Sequence, residues 1–182
     1  MKKVLVPLAP GFEEIEAVCV VDVLRRAGAE VTTAGTQPGP IQASRRVVVL
    51  PDTTLDQVDP DEFDMIVIPG GAKGVDVLKA DPLVKLILQK MNGQGKYVTA
   101  ICAGPIVLAE AGLLKGRAVT SYPGVGGLLE GAHLKSDRVV VDGKIVTSQG
   151  PGTAIEFALK LAEILQGKAR AEEVAKACLA RA

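Results

Sequence analysis

The chain has 182 residues, of which 48% are hydrophobic, so it is long enough for one well-filled core and short for two. Lys and Arg together number 21, as do Asp and Glu, and no run of like charge stands out along the chain. A nucleic-acid-binding protein would need a basic face, and the sequence predicts none.

The chain begins with a predicted βαβ unit. A strand over Lys3–Ala9 is followed by a helix over Glu14–Ala27 and a second strand over Glu30–Gly35. The apolar part of the first strand, Val4–Ala9, is too short for a signal-peptide core or a membrane span. We therefore expect no signal peptide or membrane segment here, and the odd count of three cysteines without CxxC spacing favours a reducing, cytoplasmic setting.

The rest of the chain continues to alternate short apolar runs with helical segments. The predicted strands are Val47–Leu50, which is weaker, Asp64–Pro69, Lys96–Ile101, Ala118–Ser121, and the Val139–Val141 and Lys144–Thr147 hairpin around Asp142-Gly143. The predicted helices are Lys73–Lys79, Pro82–Met91, Gly104–Leu114, Pro151–Leu165 and Ala171–Ala180. This alternation predicts an α/β fold of three layers, with a mostly parallel sheet between helices and ligands at the carboxyl ends of its strands.

Cys102 is the strongest candidate for a reactive residue. In Ala100–Pro105 (AICAGP) a buried strand ends at the cysteine and a helix starts a few residues later, which resembles a nucleophile elbow. The helix amino terminus should favour the thiolate and lower the pKa of the thiol. The alternative is a small buried thiol at the end of a core strand. Three cysteines without CxxC spacing indicate neither a disulfide framework nor a zinc site. Cys19, within an apolar helix, and Cys178, near the end of the last helix, are interpreted as structural or incidental.

Glu16 is the candidate partner of Cys102. On the helical wheel Asp22 and the arginines after it form the solvent face, whereas Glu16 falls about 120° away, among Val20 and Val23. Burial would raise the pKa of this carboxyl group and keep it protonated, so that it could donate a hydrogen bond to the sulfur. The alternative is that Glu16 only complements the helix dipole in a frayed first turn, a role that suits Glu13 and Glu14 better.

Three backbone groups and two arginines are weaker candidates. The N–H groups of Gly70, Gly71 and Ala103 could form an oxyanion hole, although two glycines after a strand are more often a tight turn. Arg26 and Arg45 could bind an anionic group near the site, although surface arginines are usually only solvated. His133, the only histidine, lies in a Gly-rich loop region and is more often a bystander there than a catalytic base.

Five motifs in register resemble the ThiJ/PfpI superfamily, and within it the DJ-1 branch, which contains the Parkinsonism-associated deglycase and its bacterial relatives. The motifs are APGFEEIE at 9–16, LRRAG at 24–28, VIPGG at 67–71, AICAGP at 100–105 and TSQGPGT at 147–153. The resemblance implies a single ThiJ/PfpI domain over 1–182, of the class I glutamine amidotransferase-like type, with a flavodoxin-like fold. It also implies a homodimer, a reactive cysteine at Cys102 and a protonated glutamate at Glu16.

The sequence departs from the family pattern at three positions. Protease members carry a histidine after the cysteine, and Ala103 stands there in this chain, so we expect no peptidase activity. Tyr122 precedes Pro123 where the animal branch has a histidine, which leaves at most a phenol at the site in place of an imidazole base. Ala43 replaces a peripheral cysteine, while Arg45 matches the arginine that follows it.

The resemblance implies two functions of different classes. In one, the protein is a glyoxalase or deglycase that needs no cofactor or metal, and its substrates are small reactive carbonyl compounds or glycated proteins and nucleotides. In the other, it is an oxidative-stress sensor and chaperone whose Cys102 sulfinate is stabilised by Glu16, without turnover. A catalytically silent dimeric scaffold is a third interpretation.

Overall fold

The computed structural model describes residues 1–180, which form a central β-sheet with helices on both faces. The strands are β1 (Lys3–Leu8), β2 (Glu30–Gly35), β3 (Ile41–Gln42), β4 (Val48–Val49), β5 (Thr53–Thr54), β6 (Met65–Ile68), β7 (Tyr97–Ile101), β8 (Ala118–Val119), β9 (His133–Leu134), β10 (Val139–Asp142) and β11 (Ile145–Ser148). The helices are α1 (Glu14–Arg26), α2 (Ala72–Ala80), α3 (Pro82–Gly93), α4 (Pro105–Glu110), α5 (Ala154–Gln166) and α6 (Lys168–Ala177). This is the three-layer, flavodoxin-like architecture that the alternation of elements predicts.

The main sheet has seven strands in the order β10-β11-β7-β6-β1-β2-β5. All neighbours pair in parallel except β10 and β11, which form the predicted hairpin. Because β1, β6 and β7 are parallel and adjacent, their carboxyl ends meet at one edge of the sheet. The loops that follow Leu8, Ile68 and Ile101 therefore converge, and this edge holds the candidate site.

The two faces of the sheet bury separate hydrophobic clusters. Alternate residues of β1 point in opposite directions, with Val4 and Val6 in one cluster and Leu5 in the other. The first cluster packs under α1, α5 and α6, and the second under α2, α3 and α4. Apolar residues on both faces of the central strands explain why their sequences read as continuous hydrophobic runs.

Several elements differ from the sequence predictions. Val48–Val49 pairs only with β3, and Ala118–Val119 pairs only with β9. Both are strands, as the sequence predicts, but neither forms part of the main sheet. The edge strand Thr53–Thr54 was not predicted, because two threonines carry no apolar periodicity. Helix α4 ends at Glu110 rather than Leu114, since the chain turns through Gly112 at φ +78°. Helix α6 begins at Lys168, directly after Gly167 ends α5.

Within residues 1–180, no helix is long and apolar enough to cross a membrane.

Candidate active site

Cys102 lies on a sharp turn between β7 and α4. Its φ of +65° is in the left-handed region, which is uncommon for a residue with a Cβ. The backbone on both sides holds this conformation: Cys102 N–H donates to the Ser148 carbonyl at 3.0 Å, and the Cys102 carbonyl accepts from Tyr122 N–H at 2.9 Å. Such conformations cost about 1–3 kcal/mol and persist only where surrounding contacts impose them. The turn leaves the thiol half-buried at the carboxyl edge of the sheet.

Gly70 allows the cysteine and the carboxyl group to approach each other. A Cβ at this position would lie 2.6 Å from the Cys102 Cβ, 3.0 Å from its Sγ and 2.6 Å from Glu16 Oε2. A Cβ atom does not make contacts as short as 2.6 Å, so a larger residue would displace one of the two groups. The loop after β6 thus brings the three residues together because it carries glycine at this point.

The Glu16 carboxyl group is fully buried, at 0% exposure, in the first turn of α1. Its Oε2 accepts a hydrogen bond from Gly70 N–H at 2.7 Å, whereas Oε1 is buried without a hydrogen-bond partner in the described part of the chain. The backbone of Glu16 is fixed by the side chain of Glu13, which caps α1 and accepts from Glu16 N–H at 2.9 Å. Burial raises the pKa of Glu16 to about 7, despite the hydrogen bonds from Gly70 and Cys102.

The Cys102 thiol and the Glu16 carboxyl group are electrostatically coupled. Burial, and then the charge of Glu16, raise the pKa of Cys102 to about 12. The sequence predicted a lowered pKa from the helix amino terminus, and this is wrong because the six-residue α4 is outweighed by burial and by the carboxylate. The N–H groups of Ala103 and Gly71 act in the opposite direction by hydrogen bonding to the sulfur. A thiolate is therefore favoured only when Glu16 holds the proton of the pair.

Two of the three proposed backbone donors face the sulfur. Gly71 and Ala103 direct their N–H groups to Cys102, while the Gly70 N–H is occupied by Glu16. Gly71 has φ +92°, and a Cβ there would clash with the Gly11 carbonyl oxygen, so the position requires glycine. The pair of donors can stabilise negative charge on sulfur or on an oxygen attached to it.

Tyr122 lines the site, and the other proposed residues lie further away. A Cβ added to Gly150 would lie 3.3 Å from the Tyr122 ring and 4.0 Å from Cys102 Sγ. Arg26 is at the opposite end of α1 from Glu16, where it pairs with Asp22 at 2.7 Å. His133 lies in β9, exposed, in register with Ala118.

Arg45 is held near the amino terminus of α1 by Glu14, a residue whose role the sequence analysis missed. The Glu14 carboxylate, 8% exposed, accepts from Ser44 Oγ at 2.8 Å and from Arg45 N–H at 2.7 Å. Its burial opposes ionisation, but these hydrogen bonds, with one from its own backbone, lower the pKa of Glu14 below the usual value. The sequence indicated only a helix-dipole role for Glu14, because its hydrogen-bond partners are about 30 residues away in the chain.

Known proteins resemble this chain over nearly its whole length. The DJ-1/PfpI family model matches residues 2–164. Protein dj-1beta of Drosophila melanogaster is 47% identical over 181 residues, covering 98% of this chain and 97% of that protein. Glutathione-independent glyoxalase DJR-1.2 of Caenorhabditis elegans is 37% identical over 183 residues, covering 99% of this chain and 98% of that protein.

Solved structures give the same result. The crystal structure of Drosophila melanogaster DJ-1beta has a TM-score of 0.97 at 46% identity and covers 100% of this chain and 99% of its own. The structure of oxidized Toxoplasma gondii DJ-1 has a TM-score of 0.96 at 41% identity and covers 100% of both chains.

Proposed function

The chain belongs to the DJ-1/PfpI family, and we propose that it is a cofactor-independent glyoxalase or deglycase that acts on methylglyoxal or early glycation adducts. The observation that carries this proposal is the pairing of the Cys102 sulfur with a buried carboxyl group whose pKa is raised to about 7. A group that titrates near neutral pH can give and take a proton in the same reaction. The Caenorhabditis elegans relative is named a glutathione-independent glyoxalase, which supports the same class of chemistry.

The reaction begins with the addition of sulfur to the aldehyde carbon of methylglyoxal. Glu16 gives its proton to the aldehyde oxygen, so a thiohemiacetal forms and the carboxyl group becomes a carboxylate. The carboxylate then removes the proton from the former aldehyde carbon and returns it to the neighbouring carbon, while a proton passes between the two oxygens. The product is a thioester of lactate on Cys102. One water hydrolyses it, releases lactate and restores the thiol, so methylglyoxal plus water gives lactic acid.

The N–H groups of Gly71 and Ala103 support the first and last steps. Both groups face the sulfur, where the attacking thiolate carries charge before addition and again when the thioester breaks. Burial raises the pKa of the thiol in either state, but with Glu16 protonated the added repulsion from its charge is absent, and the two donors favour the thiolate. The carboxyl group therefore controls both the nucleophile and the proton.

Lactate formation without glutathione, other thiols or amine buffers tests the proposal. We expect Cys102→Ser to abolish turnover. Glu16→Ala should lower the rate about 10²- to 10⁴-fold, the usual cost of one positioned acid or base. The melting temperature of both variants, and alkylation of Cys102 by iodoacetamide in Glu16→Ala, identify a variant that is merely misfolded. Lactate formation by Cys102→Ser at the rate of the unmodified protein would refute the enzymatic proposal.

A peroxide sensor with chaperone activity is the second candidate. Glu16 Oε1 has no partner among the described residues, and the Gly71 and Ala103 N–H groups face the sulfur, so three groups can bind sulfinate oxygens. Two equivalents of peroxide would convert thiolate to sulfenate and then to sulfinate, each with loss of water or hydroxide. One of the similar structures is described as oxidized DJ-1, which favours this candidate. A folded, peroxide-responsive protein without lactate formation would support it over the glyoxalase.

We also propose that the chain acts as one ThiJ/PfpI domain that pairs into a homodimer. Exposed apolar side chains lie together on α1 and around β4, among them Val18 and Leu50, the latter 72% exposed. Both also line a groove against Val21 and Val49. An exposed apolar patch of this kind is typical of a protein interface.

A further inference from the structure

A positively charged cavity lies beside the active-site loops, and none of the functions above uses it. Its volume is about 500 Å³, which suits a small ligand. Six of the residues that line it carry the argument, and we call this group the cationic cavity: Gly11, Ser44, Arg45, Arg46, Ala72 and Lys73. Within residues 1–180, none of the side chains that line it is acidic.

The three cations of the cavity are not neutralised. In the described part of the chain, no carboxylate lies within ion-pairing distance of the charged groups of Arg45, Arg46 or Lys73. The nearby Glu14 carboxylate is buried behind the loop, where it accepts hydrogen bonds from Ser44 and from the Arg45 backbone. Glu14 therefore anchors the loop and does not line the cavity. Its charge partly offsets that of Arg45, whereas Arg46 and Lys73 have no ion-pairing carboxylate among residues 1–180.

The chain segment that lines one side of the cavity follows directly on an active-site loop. Gly71, whose N–H faces the Cys102 sulfur, is followed directly by Ala72 and Lys73. Since consecutive Cα atoms are about 3.8 Å apart, the Lys73 Cα lies within about 8 Å of the Gly71 Cα. On the other side, a Cβ on Gly11 would lie 2.6 Å from the Lys73 Cβ. One tightly packed segment thus connects the nucleophile to the cations.

We infer that the cationic cavity binds a carboxylate or phosphate group of the substrate, so that the enzyme prefers anionic 2-oxoaldehydes to neutral methylglyoxal. This inference rests on the proposed function, because it names the substrate class of the same site. At a separation of about one Debye length, a unit charge changes a rate about 2-fold, and three such charges together should give about 10-fold. The anionic group would occupy the cavity while the aldehyde carbon reaches Cys102.

Alkylation of Cys102 tests the electrostatic part without any turnover. Iodoacetate and iodoacetamide transfer nearly the same group to the sulfur, but only iodoacetate is charged. The ratio of their alkylation rates, iodoacetate over iodoacetamide, therefore measures the electrostatic potential at the Cys102 sulfur. We expect the double variant Arg46→Gln with Lys73→Met, which removes two of the three charges, to lower this ratio about 4- to 5-fold. Lys85→Met, on the exposed face of α3, is the matched control and should keep the original ratio. An unchanged ratio in the double variant would overturn the inference.

Turnover tests the substrate class. We expect kcat/KM for 4,5-dioxopentanoate, which would give 2-hydroxyglutarate, to exceed that for its neutral methyl ester about 10-fold, and the double variant, which keeps Arg45, to reduce the difference to about 2-fold. The phosphate ester 2-oxo-3-phosphonooxypropanal shows whether phosphate is preferred to carboxylate. Equal rates for the acid and the ester would overturn the preference while leaving the glyoxalase proposal intact. If neither compound reacts but the alkylation ratio still falls in the double variant, the glyoxalase proposal fails and anion binding is supported.

Discussion

Replacing Glu16 by Gln should stabilise the protein above neutral pH. The carboxyl group binds its proton more tightly in the folded chain, where its pKa is raised from 4.5 to about 7, than in the unfolded chain. Folding therefore takes up a proton between these two pH values, and the free energy of unfolding falls as the pH rises through this window. Gln has nearly the same shape, accepts from Gly70 N–H and carries no charge, so it removes this loss.

The magnitude follows from the size of the change in pKa. A rise from 4.5 to about 7 corresponds to about 3 kcal/mol, at about 1.4 kcal/mol for each tenfold change in proton affinity. This is an upper value, because the folded protein can relax around the charged carboxylate. We expect Glu16→Gln to raise the free energy of unfolding by about 1–3 kcal/mol at pH 8 and to have almost no effect near pH 4.

Urea denaturation of both proteins at pH 4 and pH 8 measures this difference. Glu110→Gln, an exposed position at the end of α4, is the control and should show no such dependence on pH. Equal stability of Glu16→Gln and the unmodified protein at pH 8, or a difference that does not depend on pH, would refute the assignment of a raised pKa to Glu16.

Four further results are expected. Gly70→Ala should lose about 1–3 kcal/mol of stability and slow the alkylation of Cys102, because the added Cβ would lie 2.6 Å from the Cys102 Cβ; urea denaturation and thiol titration measure both effects. Peroxide should oxidise Cys102 before the other two cysteines and stop mainly at sulfinic acid, and mass spectrometry that finds another cysteine modified first would contradict the sensor proposal. Sedimentation should give the mass of two chains at micromolar concentration, and Val18→Glu with Leu50→Glu should give the mass of one. Tyr122→Phe should change lactate formation little, whereas Tyr122→His should leave it equal or faster.

Local patterns in the sequence already predict the fold. Apolar residues on both sides of β1, β6 and β7 predict central strands covered by helices, and the Asp142-Gly143 turn predicts the hairpin. The helical wheel of α1 turns Glu16 toward the core, where the structure buries it completely. These predictions succeed because each depends on periodicity within a few residues, which the covalent chain fixes.

Properties that depend on distant residues could be decided only by the tertiary structure. The sequence predicted an acidic Cys102 thiol from the adjacent helix, whereas burial and the Glu16 charge, 86 positions away in the chain, raise its pKa instead. Arg26 and Arg45 look equivalent in the sequence, yet only Arg45 lies beside the active-site loops. The cationic cavity combines three segments, around residues 11, 45 and 73, that no local pattern connects. Electrostatic coupling acts through space, so it becomes defined only when the fold sets the distances and the solvent exposure of each charge.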